Sequence, residues 1–277
     1  MMTYYQERLL AIIEQADYSH LTKKAYRSDV RHLCRQVERI DLPSLQRYGK
    51  FLRDTYAPAT AARRLHALSI LFDHLVAEHS LQTNPLARVK KPVPAPHRRL
   101  TFTYDDVHRV IETIRNETVY AFSFLLLHTG LRFSEARDLQ LADVDFTHDQ
   151  LLVRSGKGDK ARQVPLHHAL HRVLTRYIET IRPDATPLFC EDSGRPVNPA
   201  KFRRFLKEAS EHCLGRIIRP HDIRVTFATT LYHVHQTDIL TIMRLLGHSD
   251  VRTTQHYVLP SHDIAHTSVN RLKRTDD

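Results

Sequence analysis

Six side chains between positions 132 and 257 have types and spacings suited to gripping and attacking an anion. Arg132 lies in the stretch Thr129-Gly130-Leu131-Arg132-Phe133-Ser134-Glu135. There a glycine can close one helix and a new one begins near Ser134, so Arg132 sits at a helix start beside backbone donors. For one arginine alone, a surface ion pair is the plainer account. Lys157 stands between Gly156 and Gly158 at the tip of an expected hairpin. The phosphate-cradling pattern G-x-x-x-x-G-K-S/T is absent, so a mobile lysine reaching into a cleft fits better than a nucleotide loop; a solvated turn lysine is the ordinary alternative. His221 and Arg224, three apart after Pro220, share one helix face and can hold a phosphate from two sides. His248 falls in the corner after Gly247, and Ser249 can cap the helix that follows. Tyr257 comes nine residues after His248, about two and a half helical turns along. A half-buried structural tyrosine is the commoner fate of that residue type.

Taken as a set, these groups match the needs of phosphodiester transfer. That reaction requires charge neutralisation, a positioned nucleophile and a proton for the leaving oxygen. Arg132 and Arg224 offer forked donors to non-bridging oxygens, which lysine could not match, and His221 and His248 can complete the cage. Free tyrosine ionises near pH 10, so a cationic pocket is what would make Tyr257 a competent nucleophile. Glu135, one turn from Arg132, either orients these cations or is a helix-surface carboxylate.

The elements that must position them are mostly helical. Seven glycines in 277 residues argue for much helix and few tight turns. Apolar residues recur at helical spacing in 5–15 (Leu9, Ile12, Ile13), from Thr22 (Tyr26, Val30, Leu33, Cys34), in 42–56, and in 58–78 (Leu65, Leu68, Ile70, Leu71, Leu75). The second and fourth of these carry Lys23, Lys24, Arg27, Arg31, Arg63 and Arg64, a basic face that is either solvated or contacts a polyanion. Residues 84–99 contain Pro85, Pro92, Pro94 and Pro96 together with Arg88, Lys90, Lys91, Arg98 and Arg99. No acidic residue occurs between Glu78 and Asp105, so this stretch is expected to be an extended basic linker. Beyond it, Thr103 caps a helix, 119–128 reads as a buried helix, and 150–154 with 161–166 reads as a hairpin. Further helices are expected at about 167–182, 198–212, 221–234, 237–246 and 249–257. The fold class is thus mainly α with a small β-sheet, divided as 1–86 helical, 87–99 linker and 100–277 mixed.

Lys and Arg number 41 against 31 Asp and Glu, a net charge of +10 that favours polyanionic partners. Cys34, Cys190 and Cys213 are odd in number and far apart, which excludes a disulfide framework and a Cys-x-x-Cys metal site. The opening residues 1–7 lack a secretory pattern, and no apolar run nears the roughly 18 residues of a membrane span. A soluble cytoplasmic protein is expected.

The ordered set Arg132, Lys157, His221-x-x-Arg224, His248 and Tyr257 resembles the tyrosine recombinase (phage integrase) family. The surrounding words do too: T-G-L-R-x-S-E, G-K-G-x-K-x-R-x-V-P-L, P-H-x-x-R-x-T-F-A-T and L-L-G-H-S-D-x-x-T-T-Q-x-Y. The similarity covers about 100–277 strongly, and the motif wording is closest to Xer-type members. Two departures are Val225, where many relatives carry histidine, and Arg244, where glutamine is often found nearby.

The resemblance implies a helical core-binding (SAM-like) domain and a catalytic domain forming a C-shaped clamp on double-stranded DNA. It implies Tyr257 as nucleophile, Lys157 as general acid on the 5′ oxygen, and His221 assisting deprotonation of Tyr257. The product would be a 3′-phosphotyrosyl bond and a free 5′-hydroxyl, with no metal or other cofactor. Four protomers, identical or mixed with a related recombinase, would act on two sites through a Holliday junction. The tail after Tyr257, with Val258, Leu259, Ile264, Val269 and Leu272, would dock on a neighbour or pack on its own domain. Lys23, Lys24, Arg27, Arg63, Arg64, Lys90 and Lys91 are the expected DNA contacts outside the cage. A type IB topoisomerase-like relaxing enzyme is the enzymatic alternative. A DNA-binding accessory factor without catalysis is the other, and the intact six-residue set speaks against it.

Overall fold

The computed structural model describes residues 2–92, 102–154, 161–248 and 250. The chain falls into two compact units, Met1–Arg99 and Leu100–Asp277.

The first unit holds four helices: α1 (Met2–Gln15), α2 (His20–Gln36), α3 (Leu42–Thr55) and α4 (Pro58–Ala77). Their starts follow the local chemistry. Ser19 accepts from Thr22 N–H, Asp41 accepts from Ser44 N–H, and Pro58 opens α4, where a missing N–H costs nothing. The expected apolar stripes meet in one core of Leu9, Ile13, Val30, Leu33, Leu45, Leu52, Leu65, Leu68, Leu71 and Leu75.

The stretch after Asn84 departs from the expected extended linker. Pro85–Arg88 forms a 3-10 turn, and Leu86 and Val89 are buried in the helical core. The physical cause is threefold. Asn84 Oδ1 accepts from Leu86 N–H at 2.9 Å, Pro85 presets the first turn, and Arg53 Nη1 donates to Lys90 O at 2.7 Å. Burial of two apolar side chains thus outweighs the extended bias of a proline-rich segment. The rest of the expected linker, 93–99, lies outside the described residues.

The second unit is built round α6 (Glu117–Thr129), which is buried on nearly every side. Around it stand α5 (Tyr104–Glu112), α7 (Phe133–Asp138), α8 (His168–Thr180), α9 (Pro199–Leu214) and α10 (Pro220–His233), and α11 (Ile239–Leu246) packs on α10. Thr103 and Asp106 form a capping box at the start of α5. An antiparallel sheet in the order β1 (Val144–Asp145), β2 (Gln150–Val153), β3 (Arg162–Pro165) adds Leu151, Val153 and Val164 to the core round α6. The expected hairpin is β2–β3, with Leu151 opposite Val164 and Val153 opposite Arg162. β1 has two residues, too short to leave a periodic signal. The helix expected at 249–257 lies outside the described residues, and no helix among the described ones is long and apolar enough to cross a membrane.

His128, near the end of α6, shows what burial does to a titratable group. Its ring stacks on Phe124 at 4.1 Å, Nδ1–H donates to Phe124 O, and Nε2 accepts from Tyr104 O–H at 3.0 Å. Burial, reinforced by neighbouring histidines, pushes its pKa down to about 4. Above pH ~6.5 His128 is neutral folded or unfolded. Between there and pH 4 the unfolded chain takes up a proton that the folded one refuses, so folding stability should fall with acidification by up to about 3 kcal/mol. In melting experiments at pH 7.5 and 5.0, His128→Gln should lose distinctly less stability on acidification than the wild type. Equal losses would assign the titration to another group.

Candidate active site

Gly130 ends α6 in the left-handed conformation, φ +64°. A Cβ there would lie 2.3 Å from the Phe227 ring and 2.9 Å from Leu246, so only glycine lets the chain turn this close to α10 and α11. Two residues on, Arg132 is the N-cap residue of α7. Its backbone N–H donates to Glu135 Oε2 at 2.8 Å, and its Nη1 donates to Glu135 Oε1 at 2.7 Å. Arg224 enters from α10 and is 3% exposed. Its Nη1 donates to Gly130 O and its Nη2 to Leu246 O, both at 2.8 Å; Nη2 also donates to His248 Nε2 at 2.7 Å. Gly247, φ +66°, closes α11 and delivers the buried His248 to that arginine.

The fold therefore brings Arg132, Glu135, Arg224 and His248 into one cluster. His221, exposed on the first turn of α10, lines the same concavity as Arg132 and Arg224. Its remaining wall includes Arg203 and Arg219, neither of which the motif reading singled out. Arg203 has no sequence signal beyond the basic face of α9, whereas Arg219 stands directly before Pro220. Lys157 and Tyr257 lie outside the described residues. Two other tyrosines, Tyr177 and Tyr232, are placed as framework. Tyr177 is buried, and its hydroxyl accepts from Cys190 N–H. Tyr232 packs on the patch formed by Ala228, Ile242 and Leu246. Val225 is buried on α10.

Arg162, at the start of β3, joins the cluster; in sequence it belongs to an expected strand and to the word G-K-G-x-K-x-R-x-V-P-L, with no role assigned. Its guanidinium donates to both oxygens of Glu135, at 3.2 and 2.9 Å, and its Nε donates to Leu245 O at 2.9 Å. Burial alone would push the Glu135 carboxyl up. Hydrogen bonds from Arg162 and Arg132 outweigh that and hold it below the usual carboxylate range. One largely buried carboxylate thus gathers the guanidinium groups of Arg132, Arg162 and Arg224. The concavity lined by Arg132, Arg203, Arg219, His221 and Arg224 offers donors suited to a phosphate anion.

In the first unit the expected basic contacts divide. Arg27 forks onto Glu14 at 2.6 and 2.7 Å, and Arg63 forks onto the buried Asp29 at 2.6 and 2.8 Å. Arg64 stacks over the Tyr56 ring at 4.8 Å. These three tie helices together. Lys23 donates to Glu14 O, and Lys24, Lys90 and Lys91 are exposed.

Comparison with known proteins identifies the family and the fold. Residues 101–262 match the model of the phage integrase family. The tyrosine recombinase XerC of Alcanivorax borkumensis is 30% identical over 254 residues, covering 84% of this chain and 80% of that one. A tyrosine recombinase of Thermosipho africanus is 29% identical over 257 residues, covering 87% and 89%. Among solved structures, a lambda integrase dimer bound to a COC′ core site superposes with TM-score 0.79 at 18% identity, over 92% of this chain and 94% of that one. The Tn1549 transposon integrase in complex with a circular intermediate DNA gives 0.78 at 20% identity, over 95% and 98%. The match over more than half of the chain places this protein in the phage integrase family, the tyrosine recombinases.

Proposed function

We propose that this chain is a site-specific DNA recombinase that cuts and rejoins duplex DNA through a 3′-phosphotyrosyl intermediate. The observation that carries this reading is the meeting of Arg132 and Arg224 on the Glu135 carboxylate, with His248 bonded to Arg224 and His221 lining the same concavity. In the reaction, Tyr257 Oη attacks phosphorus, the P–O5′ bond breaks, and Lys157 gives its proton to the departing 5′ oxygen. Arg132 and Arg224 stabilise charge on the non-bridging oxygens, His248 completes the cage, and His221 assists deprotonation of Tyr257. The phosphotyrosyl bond conserves the energy of the phosphodiester, so rejoining needs no ATP.

Double-stranded DNA is the substrate, and exchange between two sites proceeds through a Holliday junction in a tetramer, acting in the cytoplasm. Lys24, Lys90 and Lys91, exposed, and the half-exposed Lys23 are the expected contacts of the N-terminal unit with the DNA backbone. Relatives solved on a core site and on a circular intermediate DNA support this reading.

The test is capture of covalent adducts from a pool of nicked duplexes with randomised core sequence. A protein–DNA bond that survives phenol extraction, with one core sequence enriched, is expected. Supercoil relaxation without enrichment or synapsis would favour a topoisomerase-like enzyme instead. Adduct formation should persist in excess chelator, because guanidinium groups already supply the positive charge that a metal would bring. An absolute Mg²⁺ requirement with DNA already bound would overturn the mechanism.

A further inference from the structure

No step above uses Arg162. Its side chain is 11% exposed, and Nε, Nη1 and Nη2 all donate within the protein. It does not line the concavity that Arg132 and Arg224 line. It begins β3, opposite Val153 in the ladder and five residues after Lys157.

The end of α11 explains why a guanidinium sits there. A helix leaves its last carbonyls unpaired and carries partial negative charge at that end. Three successive carbonyls at this end each accept from a different arginine. Leu245 O takes Arg162, Leu246 O takes Arg224, and Gly247 O takes Arg132 at 3.2 Å. The Arg162 guanidinium also fills the space over Gly247, where a Cβ would lie 2.5 Å from Nη1.

We infer that Arg162 is a positioning residue for strand cleavage, locking the base of the Lys157 hairpin to Glu135 and to the end of α11 that carries His248. It acts through Glu135, which holds Arg132, and through Gly247, which precedes His248. Lysine cannot reproduce this, because one ammonium does not span both carboxylate oxygens and a carbonyl. The inference rests on the recombinase reading.

The experiment uses the full chain and the duplex enriched from the randomised pool. Arg162→Met should slow single-turnover adduct formation by about 10–100-fold, the usual cost of small misplacements at a reacting centre. Its DNA Kd should change by less than about twofold. Arg162→Lys, the milder change, should remain at least about tenfold slow and covers the case in which the Met variant does not fold. Val164→Ala, buried in the same strand, is the control for lost stability and should keep the wild-type rate. The pH–rate profile is a second readout. Glu135 faces Arg132, Arg162 and Arg224, and His248 adjoins Arg224. Losing Arg162 should move the acid limb to higher pH, and adding Glu135→Gln should remove that movement. Wild-type rate and an unmoved acid limb in Arg162→Met, full rescue by Arg162→Lys, or equal slowing by Val164→Ala would each overturn the inference. Failure of the wild type to form any adduct would instead bring down the recombinase reading, and this one with it.

Discussion

Tyr257→Phe should reduce covalent DNA cleavage by at least about 10⁴-fold, to the detection limit, because the attacking atom itself is gone. The change removes one hydroxyl oxygen and leaves the ring, so DNA affinity should stay within about twofold of wild type. Two of the described tyrosines, Tyr177 and Tyr232, have surroundings unsuited to attack. Burial raises the pKa of Tyr177, and its hydroxyl is spent on Cys190 N–H, the opposite of what a nucleophile needs. Tyr232 packs on an apolar patch. Tyr257 follows Gly247 and His248, the corner that the cage arginines hold. A gel of phenol-extracted DNA after incubation with the variant decides the matter. Adducts at wild-type yield would move the nucleophile elsewhere, with Tyr232 the first variant to make next.

Lys157→Ala should slow cleavage of ordinary DNA by about 10²–10⁴-fold, the usual worth of a positioned general acid. The diagnostic feature is selectivity. On a substrate with a bridging 5′-phosphorothiolate the leaving group is sulfur, which departs without needing a proton, so the variant should recover most of its rate. Arg132→Ala and Arg224→Ala should stay slow on both substrates, because those arginines answer charge on non-bridging oxygens rather than on the leaving atom. Lys160→Ala is the local control: weaker binding with no preference for sulfur. Equal defects of Lys157→Ala on oxygen and sulfur would reduce Lys157 to a backbone grip and leave the acid to be found among other groups of the cage.

Much of this protein is written locally. Apolar spacing marked the helices of both units. Thr103 marked a start, Gly130 and Gly247 marked ends, and the strand-like runs on either side of Gly156-Lys157-Gly158 marked the hairpin. These features depend on neighbours a few residues away, which is why they are legible one segment at a time. The motif words likewise carried Arg132, His221, Arg224 and His248 to one cluster. What stayed hidden depends on distant partners. The 3-10 turn at Pro85–Arg88 forms because Leu86 and Val89 find a core to enter, against the bias of their own segment. Arg63 looked like a DNA contact until the packing of α2 against α4 set a buried Asp29 beneath it. Arg162 looked like a strand residue, yet its partners are Glu135, 27 positions back, and Leu245, 83 positions ahead. Arg132 meets Gly247 across 115 positions. The sequence alone determined which residue types the site has and in what order they come. The tertiary structure decided which guanidinium meets which acceptor, because helix packing alone sets which carbonyls at the end of α11, and which buried carboxylate, are left to be satisfied.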